Sequence, residues 1–226
     1  MIRVNVVVEG KTEEGFVKQV LYPYLFEKNI VVTPRLVLRK RSRGSMARGG
    51  MYDYTRPRWD IQQWMSEEKS AYCTTMFDLY ALPKDFPGMN DIPPRSTPHQ
   101  RVLHLEQAFS IDLGNPYGFI PYLQLHEFEA ILFSDINILD NTLNTFRSVS
   151  KLNELRQIIE RFENPELIDD DPTTAPSKRL LRLYPAYDKR FFGELVAETI
   201  GIGSIRAACP HFNNWMERLE GLGPIA

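Results

Sequence analysis

Ile2 to Val8 is almost wholly apolar and rich in β-branched residues, the pattern of a strand covered on both faces. The run stops at Glu9-Gly10. From Thr12 to Glu27 the apolar positions Phe16, Val17, Val20, Leu21, Tyr24 and Leu25 then recur at helical spacing. The alternation repeats along the chain. Ile30 to Leu38 predicts a second strand and Tyr54 to Lys69 a helix; Ala71 to Phe77 predicts a third strand, His99 to Phe109 a helix and Tyr117 to Leu125 a fourth strand. Between Pro83 and Pro98 five prolines mark an irregular loop, because proline removes the donors that a helix or strand needs. From Glu127 onward the pattern is mainly helical. Strand and helix in alternation argue for parallel pairing and an α/β sheet. The expected organisation is an α/β core over residues 1–135 and a helical extension over 136–226 packed on the same domain. Within the extension, Leu152, Leu155, Ile158, Ile159 and Phe162 share one helical face. Such a stripe is ordinarily core; the alternative is a docking surface.

Composition narrows the classes. The chain has 226 residues, 43% apolar and 25% charged, which is globular composition long enough to hide roughly 70% of the unfolded surface. No apolar run approaches the roughly 20 residues of a bilayer span, and the N-terminus lacks a basic stretch followed by an apolar one. Cys73 and Cys209 lie far apart, which excludes a disulfide scaffold or a four-cysteine zinc site and fits a reducing cytoplasm. Net charge is −2, so nucleic-acid binding requires a local patch. One exists between Arg35 and Arg58, where eight basic residues face Asp53 alone. Arg39, Lys40, Arg41, Arg43 and Arg48 are the expected phosphate contacts; the competing reading is a solvated loop loosened by Gly44, Gly49 and Gly50. Farther on, Glu163, Glu166, Asp169, Asp170 and Asp171 form an acidic run.

Open α/β sheets carry their chemistry at the carboxyl ends of the strands. After the first strand comes Glu9-Gly10-Lys11-Thr12-Glu13. This is no P-loop, because position 5 is Asn5 where that motif needs glycine. Singly, Glu9 and Glu13 read as acids favouring a helix N-terminus, and Asp78, after the third strand, reads as a turn residue. Glu127 and Glu129 follow the fourth. Acids at three neighbouring strand ends repel one another unless a cation neutralises them, and oxygen-rich clusters suit Mg²⁺ or Mn²⁺. The histidines, including His126 beside Glu127, read as structural. Gly201 to Arg206 reads as a glycine turn entering a helix.

Glu9-Gly10 and Asp78 at strand ends resemble the Toprim domain of topoisomerases, primases and OLD-family nucleases. The segments VVVEGKTEEGFV, TTMFDLYALPKDFPG and PYLQLHEFEAILFSD are similar to a bacterial Toprim-like family whose members act beside an ATPase. The resemblance runs from Val4 to about Arg218. It implies a Toprim-like, Rossmann-like parallel sheet flanked by helices. It also implies a Mg²⁺- or Mn²⁺-dependent nuclease, acting on nucleic acid (DNA foremost) with an ATPase partner in bacterial defence or DNA maintenance. Homo-oligomers are compatible with it. Carried over, Glu9 matches the Toprim glutamate, Glu13 the second acid of the first motif and Asp78 the first acid of Asp-x-Asp. Glu127 or Glu129 matches the later acid, and Lys178 the downstream lysine. One departure stands out: the second acid of Asp-x-Asp falls on Tyr80, a poor ligand with a pKa near 10. Either Asp85, Glu127 or Glu129 supplies the missing oxygen, or the chain is a non-catalytic binding or regulatory subunit.

Overall fold

The computed structural model describes residues 1–37, 51, 53–144, 149–168 and 173–225. Four of its strands form the path β2-β1-β3-β4, with β1 Ile2–Val8, β2 Ile30–Leu36, β3 Ala71–Asp78 and β4 Phe119–Ile120. β5, Leu123–Gln124, also pairs with β3. Every pairing is parallel, so all carboxyl ends share one edge, as the alternating pattern predicts. In β1 the side chains divide between the faces: Val4, Val6 and Val8 enter one apolar cluster and Val7 the other. That two-sided burial is why the run carries almost no polar residue. Of its two polar residues, Arg3 is exposed and Asn5 is buried and bonded to Glu68 and Arg35.

Two expected elements are broken, each at a proline. The fourth strand divides into β4 and β5 around Pro121-Tyr122, since proline has no ladder donor. There Thr75 Oγ1 bridges instead, donating to the Tyr122 carbonyl at 2.8 Å and accepting from its N–H at 3.0 Å. The first helix runs as α1 Lys11–Phe16, a π-helical turn Val17–Leu21 and α2 Tyr22–Phe26. Pro23 lacks the N–H that would continue the α ladder, and the Tyr22 N–H reaches back to the Val17 carbonyl, the longer π-type bond.

One face of the sheet carries α3 Thr55–Glu67 and α4 Pro98–Asp112, whose Ile61, Val102, Leu105 and Phe109 pack with Val7, Cys73 and Phe77. The other face carries α1 with α5 Ile136–Asn144, α8 Lys189–Ala208 and α9 Pro210–Glu220. Their Leu139, Val196, Ile205, Phe212 and Trp215 share one cluster with Val4, Val6 and Val8. The helices after residue 135 thus cover half of the sheet directly. Trp215 lies at the centre of that packing, stacked on Tyr122 at 4.3 Å and donating to Thr74 Oγ1 at 2.8 Å. α6, Leu152–Ile159, buries Leu155 fully and rests Leu152, Ile158, Ile159 and the following Phe162 on the same cluster; the stripe is core. Glu166, counted in the acidic run, is also buried. Its carboxylate accepts the N–H groups of His211 at 2.8 Å and Phe212 at 2.9 Å, capping α9. Asp169, Asp170 and Asp171 of that run lie outside the described residues.

Gly201 has φ 77° within α8, a conformation open to glycine at little cost, and it kinks the helix where the sequence predicts a turn. Among the described residues no helix is long and apolar enough to cross a membrane.

Candidate metal centre at the carboxyl edge

Glu9 follows the last residue of β1, and its Oε1 accepts the backbone N–H of Asp78 at 3.0 Å. Asp78 ends β3, and its own Oδ1 accepts the N–H of Phe128 at 2.8 Å. Two carboxylates therefore fasten three chain segments together at the sheet edge. Gly10, between β1 and α1, leaves room for the Glu13 carboxylate: a Cβ there would meet Glu13 Oε2 at 2.8 Å and the carboxylate would have to shift. Glu13 is buried accordingly. Glu129 sits in the 3-10 helix Phe128–Ser134, wholly buried.

The cation among these acids is Lys189, the first residue of α8. Its ammonium lies 2.9 Å from Glu129 Oε2, 3.7 Å from Asp78 Oδ2 and 3.9 Å from Glu13 Oε1. A lysine at a helix N-terminus is on the wrong end of the macrodipole. Asp188, the cap residue, satisfies the N–H groups of Arg190 and Phe191, and the carboxylates outweigh the remaining dipole. The α1–α8 contact is close. A Cβ on Gly15 would collide with Glu194, and one on Gly193 would come within 3.0 Å of Thr12. These two glycines let α8 approach near enough for Lys189 to reach Glu13.

Glu13, Asp78 and Glu129 face the Lys189 ammonium, and Glu9 lies close enough to act on Asp78. Burial pushes Asp78 well above the usual carboxylate range; Lys189 opposes the shift, while Glu13, Glu9 and Glu129 add to it. Glu129 is raised as well, by burial first, against the pull of Lys189. Burial alone would lower Lys189, but Asp78, Glu129 and Glu13 hold its ammonium above the ordinary lysine value. Glu129 Oε1 and the Tyr187 hydroxyl are both buried and outside strict hydrogen-bond geometry, yet they lie near one another: the Tyr187 phenol is pushed up by burial, by the Glu129 charge and by its interaction with the Glu129 carboxylate.

The expected site residues thus separate. Glu9, Glu13, Asp78 and Glu129 come together. Glu127 lies close enough to raise Glu129, but its Oε2 accepts the Ser177 N–H at 3.0 Å and caps α7, Pro176–Leu183. Lys178, on that helix, is exposed; the lysine inside the cluster is Lys189. Asp85 accepts the Tyr54 N–H at the start of α3. Of the two acids after the fourth strand, Glu129 is the one that shares Lys189 with Asp78. Tyr80 is 44% exposed. Before the 3-10 helix, His126 is buried with φ 62°, and its carbonyl accepts the Tyr80 N–H at 3.0 Å.

Among the described residues no three His, Cys, Asp or Glu side chains converge tightly enough to hold a metal ion as they stand; the group at the centre is the ammonium. The donor set itself fits the chemistry of a hard divalent cation, being all carboxylate oxygen. Of the expected phosphate contacts, Arg39, Lys40, Arg41, Arg43 and Arg48 lie outside the described residues. The flanking Arg35, Arg56 and Arg58 are paired with Glu68, Asp60 and Asp112.

The fold is similar to two solved structures. One is the C-terminal region of the Burkholderia pseudomallei OLD protein, at 18% identity over 96% of each chain with a TM-score of 0.46. The other is the C-terminal region of the Xanthomonas campestris pv. campestris OLD protein, at 17% identity over 96% of this chain and 98% of that one, with a TM-score of 0.41. No curated protein matches the sequence. Residues 8–220 match the family described as a domain of unknown function, DUF4276, and the chain therefore belongs to the DUF4276 family.

Proposed function

We propose that the chain is a Mg²⁺- or Mn²⁺-dependent phosphodiester-processing protein, a nuclease of Toprim-like type acting on nucleic acid beside an ATPase partner. The observation that carries this reading is the convergence at the carboxyl edge of carboxylates from three separate elements, Glu13, Asp78 and Glu129, within 4 Å of one cation, with Glu9 bonded to the Asp78 N–H beside them. Glu9, Glu13, Asp78 and Glu129 would hold the ion. When bound, it supplies charge neutralisation for a phosphodiester and a nucleophile at neutral pH. The chain's part is orientation. The Asp78 N–H fixes one oxygen of Glu9, and the Phe128 N–H fixes Oδ1 of Asp78 while its Oδ2 faces Lys189. The basic segment from Arg39 to Arg48 grips the phosphate backbone in this reading, and DNA is the foremost substrate.

Tyr80, where Asp-x-Asp would place its second acid, favours a second reading: a non-catalytic subunit that regulates the ATPase. Cleavage assays with Mg²⁺ and Mn²⁺, with and without the co-purified partner, distinguish the two. Glu9→Gln and Asp78→Asn are expected to fold, to bind nucleic acid and to lose cleavage. Wild-type cleavage by either variant sinks the metal-centre reading, and no cleavage by the wild-type complex with any divalent ion favours the regulatory subunit.

A further inference from the structure

Lys189 is placed like a ligand and not like an ordinary surface ion pair. Its ammonium lies within 4 Å of carboxylates from three separate elements: Glu13 on α1, Asp78 on β3 and Glu129 on the 3-10 helix. That is the position from which one cation serves all three. Exposed salt bridges of lysine hold one partner loosely; here the partners are nearly or wholly buried, with Glu129 fully enclosed. The side chain nevertheless remains 39% exposed, so part of it already meets solvent, as long lysine side chains allow. An ammonium and a divalent ion cannot both occupy the centre of three carboxylates, because like charges at such separations repel strongly where water is scarce.

We propose that Lys189 is a displaceable internal counter-ion. It neutralises the acidic cluster while the metal is absent and swings out along the crevice when a divalent cation takes its place. This rests on the metal-centre reading above and adds to it that the protein's own lysine competes with the ion. Two consequences follow from the geometry. Without metal, Lys189 stabilises the fold by holding mutually repelling acids together. With metal, it opposes binding, and its displaced ammonium stands at the rim, where an anionic substrate approaches.

The test uses the full chain. Mn²⁺ binding is measured by calorimetry, and thermal unfolding is followed with and without Mn²⁺, for the wild type, Lys189→Met and Lys189→Arg. Lys189→Met is expected to bind Mn²⁺ about 10-fold more tightly, because the competing charge is gone. It should also melt lower than the wild type without metal and recover more on adding Mn²⁺. Lys189→Arg keeps the charge and should bind no more tightly than the wild type. If Lys189→Met fails to fold without metal, Lys189→Gln, which retains a donor towards Glu129, takes its place with the same expectation. Equal or weaker Mn²⁺ binding by the uncharged variants overturns the counter-ion role and leaves the metal centre intact. No Mn²⁺ binding by any variant overturns both.

Discussion

Asp78 offers a direct measure of how strongly the clustered acids repel one another. Its Oδ1 accepts the Phe128 N–H, and its Oδ2 lies 3.7 Å from Lys189. Replacing it by asparagine keeps an acceptor for Phe128 and removes one negative charge. Carboxylates sharing one ammonium are about 6 Å apart, and each pair of unit charges at that distance repels by about 3 kcal/mol at an effective dielectric of about 20. Attraction to the ammonium, closer but single, returns about 4 kcal/mol on the same scale. Glu13 and Glu129 share the ammonium with Asp78, so two such repulsions less that attraction leave the ionised carboxylate at position 78 about 2 kcal/mol unfavourable, and Glu9 adds to the repulsion. The pH dependence fixes the sign. The folded-state pKa of Asp78 is raised, so between the unfolded value near 4 and the folded value the native state holds a proton that the unfolded chain has lost. Stability falls as pH rises through that window. Asparagine does not titrate. Asp78→Asn should therefore melt close to the wild type near pH 5, or slightly below it because its amide faces Lys189, and pull ahead as pH rises. At pH 8 in EDTA the gain should reach about 3–10 °C, at 2–4 °C per kcal/mol for a chain of this size. Differential scanning calorimetry across pH 5–9 is the assay. A variant that melts several degrees below wild type at pH 8, with an unchanged pH slope, refutes the argument that excess negative charge dominates this site.

Three further outcomes follow from the packing and the charge pattern. Glu166→Ala leaves the buried N–H groups of His211 and Phe212 without their acceptor and should cost about 2–4 kcal/mol, read as a lower denaturant midpoint with an unchanged slope. Leu155→Ala should lose about 2–5 kcal/mol as a fully buried core deletion; a loss below 1 kcal/mol, with weaker binding to the co-purified ATPase, would return its stripe to the docking reading. Replacing Arg39, Lys40, Arg41 and Arg43 together by alanine should flatten the log–log salt dependence of duplex binding by about 0.9 for each phosphate no longer neutralised, and an unchanged slope clears that segment of any role in binding.

The strand ends were legible because two-sided burial leaves a sequence mark. Val4, Val6, Val7 and Val8 need apolar side chains on both faces, so the first acid after the run stands out at Glu9, and the same logic finds Asp78. The breaks at Pro23 and Pro121 follow from the missing proline donor alone, although periodicity by itself predicts one helix and one strand. The separation of Glu127 from Glu129 was not legible. Both follow β5, and only the 3-10 turn at Phe128 sends Glu129 inward while Glu127 meets the Ser177 N–H. Helical or strand periodicity does not describe so tight a turn.

Lys189 was the hardest to see, for a reason that concerns the whole fold. It enters the cluster from α8, 60 residues after Glu129, through tertiary packing that no local spacing encodes. One signal did exist. Asp188 reads as a helix cap, and a lysine directly after a cap is electrostatically misplaced unless acids lie beside it. Gly15 and Gly193 supply the other half of the reasoning, since small residues on two helices mark where their backbones approach. The C-terminal helices are then no appendage to the α/β core. They close one face of the sheet with Val196, Phe212 and Trp215 and deliver the cation around which Glu13, Asp78 and Glu129 gather. An acidic site built at the ends of three strands carries a repulsion that the strands cannot relieve themselves. The helix that completes the core also supplies Lys189, so the fold and the acidic cluster at its carboxyl edge are held by the same element.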